Sequence, residues 1–155
     1  EVLPGILRPG VDEGDRRVVL AAREEEADRA ADRHAAADAQ RIYVVGGFDD
    51  ANAIDKGLAI YDVATGTWSE GPMLPGGQRS GFGPAAVMVD GRLYVSIDDG
   101  GLHRLDRAGK AWEPVAKATP RIVHRLVSDG SRIFILGGAS RGGNSDLIEA
   151  VAVKP

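Results

Sequence analysis

The chain has no cysteine, which excludes disulfides, thiolate metal sites and thiol nucleophiles together. Aromatic residues are scarce, at 5% of 155, so each one is a marked position. Concentrated positive charge is missing as well. Residues Glu1 to Gln40 carry ten acids against six bases, and the remaining 115 residues balance thirteen against thirteen. Such a neutral body lacks the clustered Lys/Arg surface from which nucleic-acid binding draws its affinity, so nucleic acid is not an expected partner. No apolar run approaches the roughly 20 residues of a spanning helix, so a membrane is not an expected partner either. The first residues lack the basic, apolar, small-residue order of a secretion signal, and the compartment stays open. What the chain does hold is enough apolar side chain, 43% of residues, to build a core of one-domain size.

One stretch organises the rest. RIYVVGG at Arg41 to Gly47 returns as RLYVSID at Arg92 to Asp98 and as RIFILGG at Arg132 to Gly138. These are short β-branched and aromatic runs suited to buried strands, and two of them end in glycine pairs that permit a close-packed exit. The stretch Arg33 to Gly47 aligns without a gap on His124 to Gly138, while the middle copy, Pro84 to Asp98, has a turn one residue shorter at Asp90-Gly91. Every copy is therefore a hairpin, strand to polar turn to strand, and Asp-Gly is a strong hairpin signal. A third strand follows at Leu58 to Val63, Leu102 to Arg107 and Leu147 to Val153, and a fourth begins at Trp68 and Trp112 before a proline-containing loop. Four antiparallel strands per unit, with key strands 51 and then 40 residues apart, describe propeller blades better than a sandwich.

The residues before Arg33 are less informative. Leu3 to Val11 has loop composition, Arg17 to Leu20 reads as one short strand, and Ala21 to Gln40 reads as a solvated helix or a connection, since alanines are its only apolar side chains. The expected organisation is an N-terminal segment at 1–32 and blades at 33–78, 79–120 and 121–155, the last incomplete.

Taken together, Gly46-Gly47, Tyr61-Asp62, Thr65-Gly66, Trp68, Met73-Leu74-Pro75 and Arg79 resemble a kelch repeat. The second unit keeps Tyr94, Leu105-Asp106, Gly109 and Trp112 but carries Ile97-Asp98 in place of the glycine pair. The third has Gly137-Gly138 and reaches Pro155 without a tryptophan. The resemblance implies an all-β propeller of four-stranded blades, in which Tyr43, Tyr61, Tyr94, Trp68 and Trp112 are packing residues, the two tryptophans between adjacent blades. Propellers close with four to eight blades. Three blades therefore imply either part of a longer propeller or a homodimer completing a six-bladed ring, with Arg17 to Leu20 as a candidate closing strand.

The resemblance also implies that one face, built from the loops after the glycine pairs and the loops between blades, binds. On it lie Phe48, Asp49, Asp50, Asn52, Asp98, Asp99, Arg141 and Asn144, with Arg79 and Arg121 at the repeat-opening position. A guanidinium fork suits carboxylates and sugar acids, whereas loop Asp and Asn also favour turns through hydrogen bonds to their own backbone. His34, His103 and His124 have no spacing that groups them as a metal site, and no metal or cofactor is expected. Iron-dependent plant kelch proteins use a Glu, Asp, His series at four-residue steps; Glu24 and Asp28 begin one, but Asp32 ends it without His. No Ser-His-Asp arrangement or phosphate loop appears, and the catalytic residues are left unassigned. Two readings follow. The first is a binding or scaffold module presenting its loops to a protein or a small anionic ligand. The second is a catalytic propeller acting on a carbohydrate, a sugar-acid mutarotase or lyase, through Arg79, Arg121 and one loop carboxylate.

Overall fold

A computed structural model describes residues 33–153, and they are almost entirely β. The first sheet is an antiparallel meander of β1 (His34–Ala37), β2 (Arg41–Val45), β3 (Leu58–Asp62) and β4 (Thr67–Glu70). The second repeats it with β5 (Ala85–Val89), β6 (Arg92–Ser96), β7 (Gly101–Leu105) and β8 (Trp112–Lys117). The third holds β9 (Arg125–Ser128), β10 (Arg132–Leu136) and β13 (Ile148–Ala152), in the order β9-β10-β13, with a two-residue ladder, β11 (Ala139–Ser140) and β12 (Gly143–Asn144), in the connection expected as plain loop. These are kelch-type blades, stacked through their innermost strands, with β1 beside β5 and β5 beside β9.

His34–Ala37 is the first strand of the hairpin expected from Arg33 to Gly47, so the helix or connection read over Ala21 to Gln40 does not extend across it. Small side chains suit its place, where the inner strands of successive blades crowd together. The expected strand at Arg17 to Leu20, and the rest of 1–32, lie outside the described residues.

The repeated strand owes its apolar character to burial on both faces. Along β6 the side chains alternate: Leu93 and Val95 join Tyr43, Val45, Leu58, Leu74, Ile97 and Leu105 in one cluster against the first blade, whereas Tyr94 joins Leu102, Leu126, Ile133, Ile135 and Val153 in another against the third. Trp112 completes the first cluster as the repeat implies, packing its ring on it and donating from Nε1 to the Pro72 carbonyl at 3.1 Å. Its counterpart Trp68 differs. It is 52% exposed and rests against Tyr61, ring centroids 5.1 Å apart, because no described blade precedes the first.

The glycine pairs serve as expected, and the reason is backbone approach. Gly46 and Gly137 have φ of +63° and +58°, and a Cβ on Gly46 would lie 2.6 Å from the Gly81 carbonyl oxygen. The middle unit dispenses with the pair because its connection is only a tight turn, closed by the Gly100 N–H donating to the Ile97 carbonyl, so a buried Ile97 is tolerated.

One buried group opposes the fold. His124 is 1% exposed, and neither ring nitrogen has a hydrogen-bond partner among the described residues. Burial first, then the charges of Arg121, His34 and Arg125, push its pKa down to about 4. Half-buried His103 is lowered too, also chiefly by burial. A histidine held neutral in the folded state while the unfolded chain protonates near pH 6.5 contributes stability above that pH, and the contribution is lost as pH falls toward the folded value.

Two outcomes are expected. Truncating Leu93, 2% exposed at the centre of the stack, to alanine should cost about 2–4 kcal/mol in urea denaturation, whereas truncating exposed Trp68 in the described unit should cost far less. Acidification from pH 7 toward 4 should destabilise the chain by up to about 3 kcal/mol through His124. In His124→Leu, melting temperatures across that window should flatten, and an unchanged pH slope would contradict this assignment.

Candidate binding cleft between the second and third blades

In an up-and-down blade the second-to-third strand connections and the interblade connections emerge at the same ends of the strands. Four of the ten candidate residues meet there. Arg79 stands on the turn of 3-10 helix at Gln78–Gly81, Asp98 follows β6, Arg121 precedes β9, and Arg141 caps the β11-β12 ladder. With Pro120, Ile122 and the backbone of Ala139 to Gly142 they line a cleft of about 480 Å3. The Ile122–Ala139 bridge, two mutual backbone hydrogen bonds of 2.9 Å, fixes its wall.

The arginines in this cleft differ in availability. Arg121 is 3% exposed and its guanidinium is committed: Nη1 donates to the carbonyls of Gly137 at 3.2 Å and Leu147 at 3.0 Å, Nε donates to the Thr119 carbonyl at 3.3 Å, and Nη2 pairs with Glu149. Burial works against its charge, and the Glu149 carboxylate offsets that cost while also accepting the Thr119 N–H. Arg121 thus ties the opening of the third blade to its β10 and β13 ends. Arg79 and Arg141 are exposed and make no side-chain hydrogen bond or ion pair with a described residue. Their forks are free to meet an oxyanion, with the half-buried Asp98 carboxylate beside them.

The other six candidates lie elsewhere, and most are occupied by their own loops. Asp49 accepts the N–H groups of Ala51 and Ala53 at 3.0 and 2.8 Å. Asn52, at φ +58°, occupies the left-handed position of the same turn, next to exposed Asp50. Phe48 packs edge-on against Phe82 at 5.8 Å, and its carbonyl accepts from Arg33. Asp99 accepts from Lys117 at 2.9 Å and from the Gly101 N–H at 2.7 Å, and these partners, Lys117 foremost, hold its carboxyl below the usual range. Asn144 is exposed on β12, paired through its backbone with Ala139. The sequence reasoning missed Glu149, whose role rests on the buried charge of Arg121, 28 residues before it in the chain. Among the described residues no three His, Asp or Glu side chains gather as a metal site would, and the Glu24, Asp28, Asp32 series lies outside them.

A family model described as the kelch motif matches residues 29–75, which span the whole of the first sheet. A curated protein of Thlaspi arvense, N-(sulfonatooxy)prop-2-enimidothioate sulfolyase, is 26% identical over 117 residues, covering 66% of this chain and 34% of its own length. The chain therefore spans about a third of that relative. The chain thus carries a kelch motif at 29–75, the four-stranded meander that holds it recurs in the second sheet, and the glycine pair recurs at Gly137-Gly138 in the third.

Proposed function

We propose that the chain is a kelch-type binding module whose interblade cleft takes a small anionic ligand, with sugar acids as the leading class. The observation that carries this reading is the pair of unpartnered guanidinium groups, Arg79 and Arg141, on one cleft whose other cation, Arg121, is neutralised internally by Glu149. A carboxylate entering between the free forks replaces water with charge-assisted hydrogen bonds. Arg121 shapes the wall and does not itself grip the ligand.

A catalytic reading is favoured by one feature, the Asp98 carboxylate in the same cleft as Arg79. With an anion held by the arginines, Asp98 would be the general base for a mutarotase or lyase step on a carbohydrate. The relative from Thlaspi arvense is named as a lyase of a sulfonatooxy compound, itself an anion, which is compatible with anion recognition; its activity is not carried over to a chain spanning a third of it.

The module also needs covering at both ends. Trp68, Met73 and Val63 are exposed on the first blade, and Val127 and Ile148 on the third. Further blades, from a second copy in a six-bladed ring or from a longer chain, would bury them.

Sialic and uronic acids should raise the melting temperature in a differential scan. The double variant Arg79→Ala/Arg141→Ala should lose that shift, with affinity down about tenfold or more and the unliganded melting point unchanged. Arg121→Ala should instead lower the unliganded melting point, since it removes the partner of Glu149 and a donor to three carbonyls. Retention of the shift in the double variant would remove this cleft as the site. Light scattering distinguishes the two closures: a mass of twice 16.3 kDa supports the ring of two copies, and a monomer supports the longer chain.

A further inference from the structure

The opposite ends of the strands carry a second cleft, and it is arginine-rich. The hairpin turns within each blade emerge there, away from the loops of the candidate cleft. Between the first and second blades, Arg41 and Tyr43 on β2 face Gly91, Arg92 and Leu93 at the start of β6 and Leu105 to Gly109 in the β7-β8 turn, enclosing about 330 Å3.

The repeat makes the charge at this place unusual. Arg41, Arg92 and Arg132 occupy the same position, the first residue of the repeated strand, and the fold treats them differently. Arg132 is consumed by Asp129, with Nε and Nη2 at 3.0 and 2.7 Å from its carboxylate, and lies over the Phe134 ring. Arg92 lies on the cleft floor with its side chain 15% exposed, donating from Nε and Nη2 to the Leu105 carbonyl and pairing with Glu113, which Arg104 also claims. The Arg41 side chain is exposed and makes no hydrogen bond or ion pair with a described residue, its backbone N–H being the group that Asp38 accepts, and the Arg107 side chain across the cleft is likewise without one. The neighbouring acids form no ion pair with them, although the Arg41 charge acts on Asp62 and the Arg92 charge on Asp106. Asp106 accepts the Lys110 N–H on its carboxylate, and Asp62 accepts from Thr65 and Ala64 on its own, so both are held below the usual carboxylate range as turn closers.

Three guanidinium groups thus border one concavity whose lining carboxylate is already satisfied by backbone. Two free forks over the committed Arg92 suit a compact dianion better than a single carboxylate, since each fork takes two oxygens and the tetrahedral group presents enough of them. The volume leaves room for a small organic body beside it. We propose that this cleft is a second ligand site, on the face opposite the candidate binding cleft, for a small molecule bearing a phosphate monoester or diphosphate group, with Arg41 and Arg107 as its clamps and Arg92 as its floor.

The test is a titration of the full chain with inorganic phosphate and pyrophosphate, followed by backbone amide NMR at constant ionic strength. Saturable shifts are expected at Gly91, Ala108 and Gly109, stronger for pyrophosphate. The exposed double variant Arg41→Ala/Arg107→Ala should weaken them about tenfold or more, while Arg79→Ala/Arg141→Ala should leave them unchanged. Four results would overturn the proposal: no saturable shift at millimolar anion, shifts confined to Asp98 and Ser140 to Gly142, binding indifferent to loss of Arg41 and Arg107, or equal binding of acetate. Only the second of these bears on the candidate cleft, which it would favour, so the failure of this proposal and the failure of sugar-acid binding at the other face are distinguishable.

Discussion

The double-sided burial of the second blade is the constraint on which the rest depends. Because side chains alternate strictly along a strand, β6 can send Leu93 and Val95 to one neighbour and Tyr94 to the other, and each neighbour then has a fixed distance and register. The Trp112 hydrogen bond to Pro72 pins the outer edge of the same stack. Once the blades are held so, the ends of their strands form two continuous faces. Both candidate clefts are gaps between adjacent blades, one at each of those faces.

Charge follows from this geometry more than from composition. The described body is rich in arginines whose charges are mostly consumed: Arg121 by Glu149 and three carbonyls, Arg92 by Leu105 and Glu113, Arg132 by Asp129. Most loop acids are consumed as well, by the N–H groups of their own turns. What remains is the small set of arginine side chains with no hydrogen bond or ion pair to a described residue, Arg79 and Arg141 on one face and Arg41 and Arg107 on the other. A near-neutral protein therefore presents locally positive gaps.

The fold was largely legible because it is periodic. A recurring RIYVVGG-like strand, the Asp90-Gly91 turn at φ of +49° and +69°, and the glycine pairs all report local geometry that a sequence must encode locally. The small ladder at Ala139–Ser140 and Gly143–Asn144 was not legible, having no apolar pattern to announce it. The strand at His34–Ala37 competed with a helical reading because alanine serves both, and only the crowding of inner strands decides between them.

Sequence by itself determined the unit: strands of period two, turns needing positive φ, and a repeat that must be covered by its neighbours. It also named Arg79, Asp98, Arg121 and Arg141, since their positions follow from the repeat. Only the tertiary structure decided which of those groups are available. Arg121 and Arg79 open successive units in the same way, yet one is sealed beneath Glu149 and the other faces solvent, because a distant strand, β13, brings a carboxylate to the first and none to the second. Hydrogen-bond satisfaction depends on residues far apart in the chain, and a repeat motif carries no record of them.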